Sequence, residues 1–314
     1  MKWTRIILPL VTALIISWLA GLYFDHQYKK RWDILFFNKT EKLINSQEKF
    51  DVVLLGNSRV HFGINPWYLD SVTGLKSFNF ANGGSDVEDL LLTSELYIEH
   101  HPLPGTVVIS LDPGMMKKNE SLKTLYHYLF YLDDGIMRRY LSAAGHPVTM
   151  IRYLPFLKYS VMDEYNRTSV FNTSASIEKF DHNIYQGYMN IHKDTGTTVN
   201  GTYNVSRYEE DSLWRPSVNV FNKLIQTWKK NPVNIIFVYP PEKARSPFRK
   251  WKLYKTANQI FDSIALKQGI KCLHFENDPS FSDGWFVDDI HLNHPGATKY
   301  SEMLADSLRS VLFK

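Results

Sequence analysis

Five short apolar runs, each ended by a turn former or followed by a helical stretch, limit the folds open to this chain. They are DVVLLG (51–56), SFNFAN (77–82), TVVISLD (106–112), VNIIFVYP (233–240) and IKCLHFE (270–276). The first is a short apolar run ending in glycine and reads as a buried strand followed by a turn, and the other four read as further strands. Helices fall between them. Asp86 is placed to cap a helix over 87–100 whose leucines recur at helical spacing. Residues 249–268 carry Trp251, Tyr254, Ile260, Phe261 and Ile264 at helical spacing, and a last helix is expected over 296–312, just after Pro295. Strands alternating with helices predict an α/β fold, a parallel sheet covered on both faces in three layers. The stretch 113–215 breaks this rhythm. It reads as an insertion, mostly helical over 122–142 and loop-like beyond, and its aromatic residues suit a sugar platform or a local core equally.

The N-terminus predicts a different environment. Ile6 to Phe24 is 19 residues without a charge, just long enough to cross a bilayer core as a helix. Trp3, Trp18 and Tyr23 suit the interfacial belts, and Pro9 falls in the first turns where its cost is lowest. A cleaved signal peptide would need small residues where Trp18 and Leu19 stand, so the reading is an uncleaved transmembrane anchor. Its flanks (Lys2 and Arg5 before; Lys29, Lys30 and Arg31 after) are nearly balanced and do not decide orientation. The organisation read from these features is an anchor with its flank over 1–30, a juxtamembrane linker helix over 31–49, and one domain over 50–314 that carries the insertion. Six N-x-[ST] sequons (Asn38, Asn119, Asn166, Asn172, Asn200, Asn204) are compatible with an exported domain.

Composition excludes several functions. Thirty-six basic against 32 acidic residues leave a net charge of +4 with no long basic run, so nucleic acid is not an expected partner. The lone cysteine, Cys272, allows no intrachain disulfide and no cysteine-based zinc site; in its apolar run it reads as a buried, inert thiol. His100, His101 and His127 lack metal-ligand spacing with nearby acids, so no metal and no cofactor is expected. G-x-S-x-G, G-x-x-x-x-G-K-[ST] and G-x-G-x-x-G are all absent.

Three motifs carry chemistry, two of them at the C-terminal ends of predicted strands, where open parallel sheets build their sites. Gly56-Asn57-Ser58-Arg59 places a serine behind a tight turn, as a nucleophile or as a helix cap. Asn79-Phe80-Ala81-Asn82-Gly83-Gly84 lets backbone approach a ligand and offers an N–H to an oxyanion, or is a plain turn. Asp288-Asp289-Ile290-His291-Leu292-Asn293 sets an acid three residues before a histidine, ahead of the last helix. Such an acid can hold one ring nitrogen and leave the other for a serine, with Asp289 as the alternative partner.

In combination these motifs resemble blocks I, II and V of the SGNH/GDSL hydrolases, over residues 50–314 apart from the insertion. The trailing HLNHPGA (291–297) is also similar to that family. The resemblance implies a flavodoxin-like sandwich with Ser58 as nucleophile, His291 as base, Asp288 as its orienting acid and Gly84 as an oxyanion donor. Asn57 stands where the family has Asp. Asp112 stands where a block III asparagine would donate to the oxyanion, so either another donor such as Asn82 serves, or turnover is slow, or the acceptor chemistry differs. A carboxylate there would repel an oxyanion if it pointed inward, and losing one such donor typically costs about 10²–10³ in rate. An anchor followed by such a domain is similar in layout to accessory proteins of cell-envelope acylation. It implies a single-pass membrane protein, its domain extracytoplasmic, acting on acyl (acetyl) groups of a polysaccharide beside a multi-pass membrane O-acyltransferase. The alternative it leaves open is a catalytically weak or inactive accessory protein docked to that acyltransferase.

Overall fold

The computed structural model describes residues 4–32, 38–117, 121–162, 184–189 and 213–313. They fall into two compact units, Met1–Lys42 with Leu122–Lys179, and Leu43–Ser121 with Phe180–Lys314. The strands are β1 (Val52–Leu55), β2 (Ser77–Asn79), β3 (Thr106–Ser110), β4 (Ile184–Tyr185), β5 (Tyr188–Met189), β6 (Asn234–Tyr239) and β7 (Lys271–His274). The principal helices are α1 (Thr4–Trp32), α2 (Asn38–Asn45), α3 (Ser58–His61), α4 (Pro66–Thr73), α5 (Val87–His100), α6 (Gly135–Ala143), α7 (Val148–Tyr153), α8 (Arg215–Lys229), α9 (Lys252–Gln268) and α10 (His294–Leu312).

The larger unit is built on a five-stranded parallel sheet in the order β2-β1-β3-β6-β7, as the alternation of strands and helices predicts. Successive strand residues face opposite sides. Val52, Leu54, Val108, Ile236 and Val238 pack against Leu69 of α4 and Ala297, Tyr300, Leu304 and Leu308 of α10. On the other face Phe237 meets Phe221 of α8 at 5.8 Å between ring centroids, and Phe221 meets Phe261 of α9 at 5.1 Å. The indole N–H of Trp228 donates to Ser94 Oγ at 2.9 Å and joins α8 to α5. Both neighbours of β1 are parallel to it but reached by crossovers in opposite directions, so the strand order reverses between β1 and β3, where such sheets open a crevice at their C-terminal edge.

Several local readings change. The small antiparallel hairpin β4–β5 lies within the stretch read as loop-like. It covers β2: the Asn79 N–H donates to the Gln186 carbonyl at 2.9 Å, and the Tyr185 hydroxyl donates to Asp70 at 3.0 Å. Two-residue strands leave no periodic trace in a sequence. Helix α10 starts at His294, not after Pro295, because Asn293 caps it by accepting from the Gly296 N–H at 2.9 Å and proline fits the first turn. Helix α9 starts at Lys252, and Pro247–Lys250 ahead of it is a 3₁₀ turn. Cys272 is half-buried on edge strand β7 rather than buried, and burial pushes its thiol up to about 11, so it remains protonated. Of the sequons, Asn119, Asn166, Asn172, Asn200 and Asn204 lie outside the described residues.

In the smaller unit, Arg5–Gln27 of α1 is 23 residues with a mean hydropathy of 2.2, long and apolar enough to cross a membrane. Helices α6 and α7 bury Met137, Leu141, Val148 and Ile151. His127 is buried there, and burial, with the charge of Lys39, pushes its imidazole down to about 3.

Two outcomes are expected. Ser94→Ala removes the acceptor for the Trp228 indole inside the core, which should cost about 1–3 kcal/mol, seen as a lower urea midpoint at unchanged m. His127 is neutral when folded and charges more readily when unfolded. Its contribution is therefore complete above the free-imidazole pKa of about 6.5 and is lost as pH falls from there toward 3. Acid denaturation of His127→Phe should show a shallower loss across that window.

Candidate active site

The site begins with the exit of the chain from β1. A Cβ on Gly56 would meet Val60 Cγ2 at 2.5 Å and Ser110 Cβ at 3.0 Å, so only glycine lets this turn lie against β3. Asn57 then caps the one-turn helix α3, its Oδ1 accepting from the Arg59 N–H at 3.1 Å. The cap is therefore Asn57 and not Ser58, which leaves the serine hydroxyl free for another partner. Asn79, at the end of β2, donates from Nδ2 to the carbonyls of Val60 (2.8 Å) and Ile64 (3.0 Å) and so ties α3 to the sheet.

That partner comes from the far end of the sequence. Ser58 Oγ lies 2.7 Å from His291 Nε2, and His291 Nδ1 lies 2.7 Å from Asp288 Oδ2. The other oxygen of Asp288 accepts the backbone N–H groups of Ile290 (2.9 Å) and His291 (2.7 Å), which fixes the carboxylate within its own loop. Val287 N–H donates to the His291 carbonyl at 2.9 Å and closes that loop, with Phe286 and Leu292 at its base buried in the core. Burial pushes the Asp288 carboxyl up, but the hydrogen bond and charge of His291 and the two N–H groups outweigh it and hold it below the usual carboxylate range. An ionised Asp288 selects the tautomer with hydrogen on Nδ1. Nε2 is then the acceptor for the Ser58 hydroxyl. Asp289 does not share this role; its carbonyl instead accepts from the Lys243 N–H at 3.1 Å.

The serine opens into a cleft of about 240 Å³. Asn57, Ser58, Gly84 and Ser85 line one part of it, and Phe248, Trp251, Leu253 and Ile290 another. Gly84 has a φ of 80°, a left-handed conformation natural to glycine. Asn82 is buried and is not among the cleft-lining residues. The aromatic side chains at the cleft, Phe248, Trp251 and Tyr254, belong to the turn before α9 and to the start of α9, not to the insertion.

Sequence reasoning missed the charge network beside the nucleophile. Arg59, 5% exposed, donates to the carbonyls of Pro240 (2.8 Å) and Pro241 (3.0 Å) and to Asp112 (3.3 Å). Its guanidinium also stands 3.8 Å from Glu242, which is held in turn by Arg249 (2.5 Å) and by the Tyr254 hydroxyl (2.6 Å). Burial alone would lower the Arg59 pKa, but Asp112 and Glu242 outweigh it and raise it. Asp112 is therefore a neutralised partner of Arg59 and a cap for the turn after β3, accepting from the Gly114 N–H at 2.7 Å. The only sequence signal was an arginine directly after the candidate nucleophile. Among the described residues no group of three or more His, Cys, Asp or Glu side chains could hold a metal ion.

Removing Arg59 would strand the buried Asp112 carboxylate and take from Glu242 one of its two guanidinium neighbours. Arg59→Met should lower stability by about 3–5 kcal/mol in chemical denaturation, and adding Asp112→Asn should recover part of the loss.

No family model and no curated protein matches this chain. Among solved structures, a Streptococcus pneumonia protein provisionally described as a platelet activating factor aligns with 97% of this chain and 99% of its own, at 11% identity and a TM-score of 0.44. A likeness that loose carries no argument about fold or chemistry, and both rest on the geometry above.

Proposed function

We propose that this chain is a membrane-anchored serine esterase or O-acyltransferase acting on acyl groups, acetyl foremost, of an extracytoplasmic polysaccharide. The observation that carries the chemistry is the unbroken line from Ser58 Oγ through His291 to Asp288, with both steps at 2.7 Å. A serine hydroxyl is a weak nucleophile until a base takes its proton, and the base needs a carboxylate to orient it and to stabilise its cation.

In this reading Ser58 Oγ attacks the acyl carbonyl while His291 Nε2 takes its proton. The carbonyl electrons move onto oxygen, where the N–H groups of Ser58 and Gly84 receive the charge. Collapse breaks the bond to the sugar oxygen, His291 returns the proton to it, and the acyl group stays on Ser58. Water then releases a carboxylic acid, or a second sugar hydroxyl takes the acyl group. Both acceptors use the same residues, and exclusion of water from the cleft selects between them. A multi-pass membrane acyltransferase beside α1 is the expected partner on the transfer route. The charge of Asp112 gives no reason to favour an inactive accessory protein, because Arg59 matches it, and the donor missing at that position would slow turnover rather than abolish it.

Labelling with a fluorophosphonate tests this directly. The wild-type chain should take the label on Ser58 and cleave an aryl acetate. Ser58→Ala and His291→Ala should lose both, and Asp288→Asn should cut turnover on the order of 10⁴-fold. A well-folded wild-type chain that takes no label would instead identify a non-catalytic accessory protein.

A further inference from the structure

The smaller unit carries apolar side chains that its own core does not cover. Helix α7 buries Val148 and Ile151 and leaves Met150 and Tyr153 exposed, and Leu154, which follows it as the C-terminal cap, is exposed as well. Met150 and Tyr153 follow the i, i+3 spacing of one helical face, and Leu154 adjoins them in sequence. The three are 57%, 68% and 40% exposed, and Phe156 in the following turn is 42% exposed. Single exposed apolar residues are ordinary on a protein surface, whereas a contiguous group marks a contact.

The position of this group identifies the contact. Helix α1 packs on the Pro155–Leu157 turn as it emerges from its apolar stretch. The ring of Phe24 stands 6.0 Å from Phe156 and 6.1 Å from Tyr159. Asp25, the first charge after that stretch, is held by Lys158 Nζ at 2.5 Å and by the Tyr159 hydroxyl at 2.8 Å. Both partners of the ion pair are largely buried, at 6% and 19% side-chain exposure, and Lys158 also lies 4.3 Å above the ring of Phe130. The outward face is thus fixed at the level where α1 leaves its apolar segment. A bilayer is amphipathic at that depth and favours tyrosine and tryptophan, and Trp18 and Tyr23 of α1 are exposed beside it. Arg152 extends from α7 as well, its side chain 41% exposed, paired at the surface with Asp133 and standing 6.0 Å from the ring of Tyr153. Such an arginine can lay its stem along apolar surface and carry its charge to lipid phosphates.

We infer that α7 and the turn after it lie in the headgroup layer of the bilayer that α1 crosses, with Met150, Tyr153, Leu154 and Phe156 against the ends of the acyl chains. Continuity with the lipid-facing surface of α1 favours lipid over a protein groove as the occupant. The inference rests on α1 being a membrane-crossing helix, and it goes beyond the catalytic reading.

The full chain in a Cys272→Ser background, reconstituted into phosphatidylethanolamine–phosphatidylglycerol vesicles, provides the test. One variant carries Leu14→Cys and another Tyr153→Cys, each labelled with an environment-sensitive nitrobenzoxadiazole dye. The expected result is that brominated phosphatidylcholine in the vesicles quenches both dyes and that iodide in solution reaches neither. Quenching at 14 with free access of iodide to 153 would overturn the lipid contact and leave the anchor intact. A dye at 153 that is shielded from iodide yet unquenched by brominated lipid would place protein there and also overturn it. No quenching at 14 would remove the anchor itself.

Discussion

The candidate site depends on one hydrogen bond between residues 233 positions apart, Ser58 Oγ to His291 Nε2, and that bond in turn depends on the fold. Neither side chain could be held within 2.7 Å of the other by its own loop. The serine is placed by the exit of β1, where Gly56 lies against Ser110 and Asn57 caps α3. The histidine is placed by a loop whose base, Phe286 and Leu292, packs into the same core as Val52 and Leu54 of β1. Asn65 N–H also donates to Ser301 Oγ at 2.9 Å, which joins the chain just after α3 to α10, the helix just after the histidine. Register of the sheet and packing of α10 therefore set a distance that a displacement of about 1 Å would spoil.

How far this could be read from residues alone follows from the range of each interaction. The strands β1, β3 and β6 were legible because they are apolar and buried on both faces, a pattern that parallel sheets impose, whereas edge strand β7 is exposed at its ends and half-buried between them. The Asp288–His291 pairing was legible because it spans three residues of one loop. The serine cap was misread as a possibility for Ser58 because Asn57 and Ser58 are both good caps, and only the backbone decides between them. Hairpin β4–β5 and the Arg59 network left almost no trace. Arg59 meets Asp112 across 53 residues and Pro240 across 181, distances at which sequence carries no local pattern.

The Arg59 network also changes the meaning of Asp112. In the sequence it is a carboxylate at the edge of a candidate oxyanion site, where a negative charge would oppose the chemistry. In the fold, Asp112 and Glu242 face Arg59, and Glu242 also faces Arg249. Within this network two acids face two guanidiniums, so its formal charges balance. The same group spans the ends of β1, β3 and β6, since Arg59 follows β1, Asp112 follows β3, and Pro240, Pro241 and Glu242 follow β6.

Buried charges of this kind are an expensive way to gain stability, because desolvation offsets most of their attraction and apolar residues of equal volume would serve as well. Their value here is directional. Apolar packing would tolerate small shifts of one strand end against another, whereas a guanidinium bound to two carbonyls and a carboxylate has one arrangement. In the proposed chemistry a serine activated by a single histidine gains little from a field and much from a fixed position, because proton transfer from serine to imidazole depends on a hydrogen bond already at working length. The network beneath Ser58 is thus best understood as the part of the site that keeps the turn still, while Asp288 keeps the base still from the opposite side.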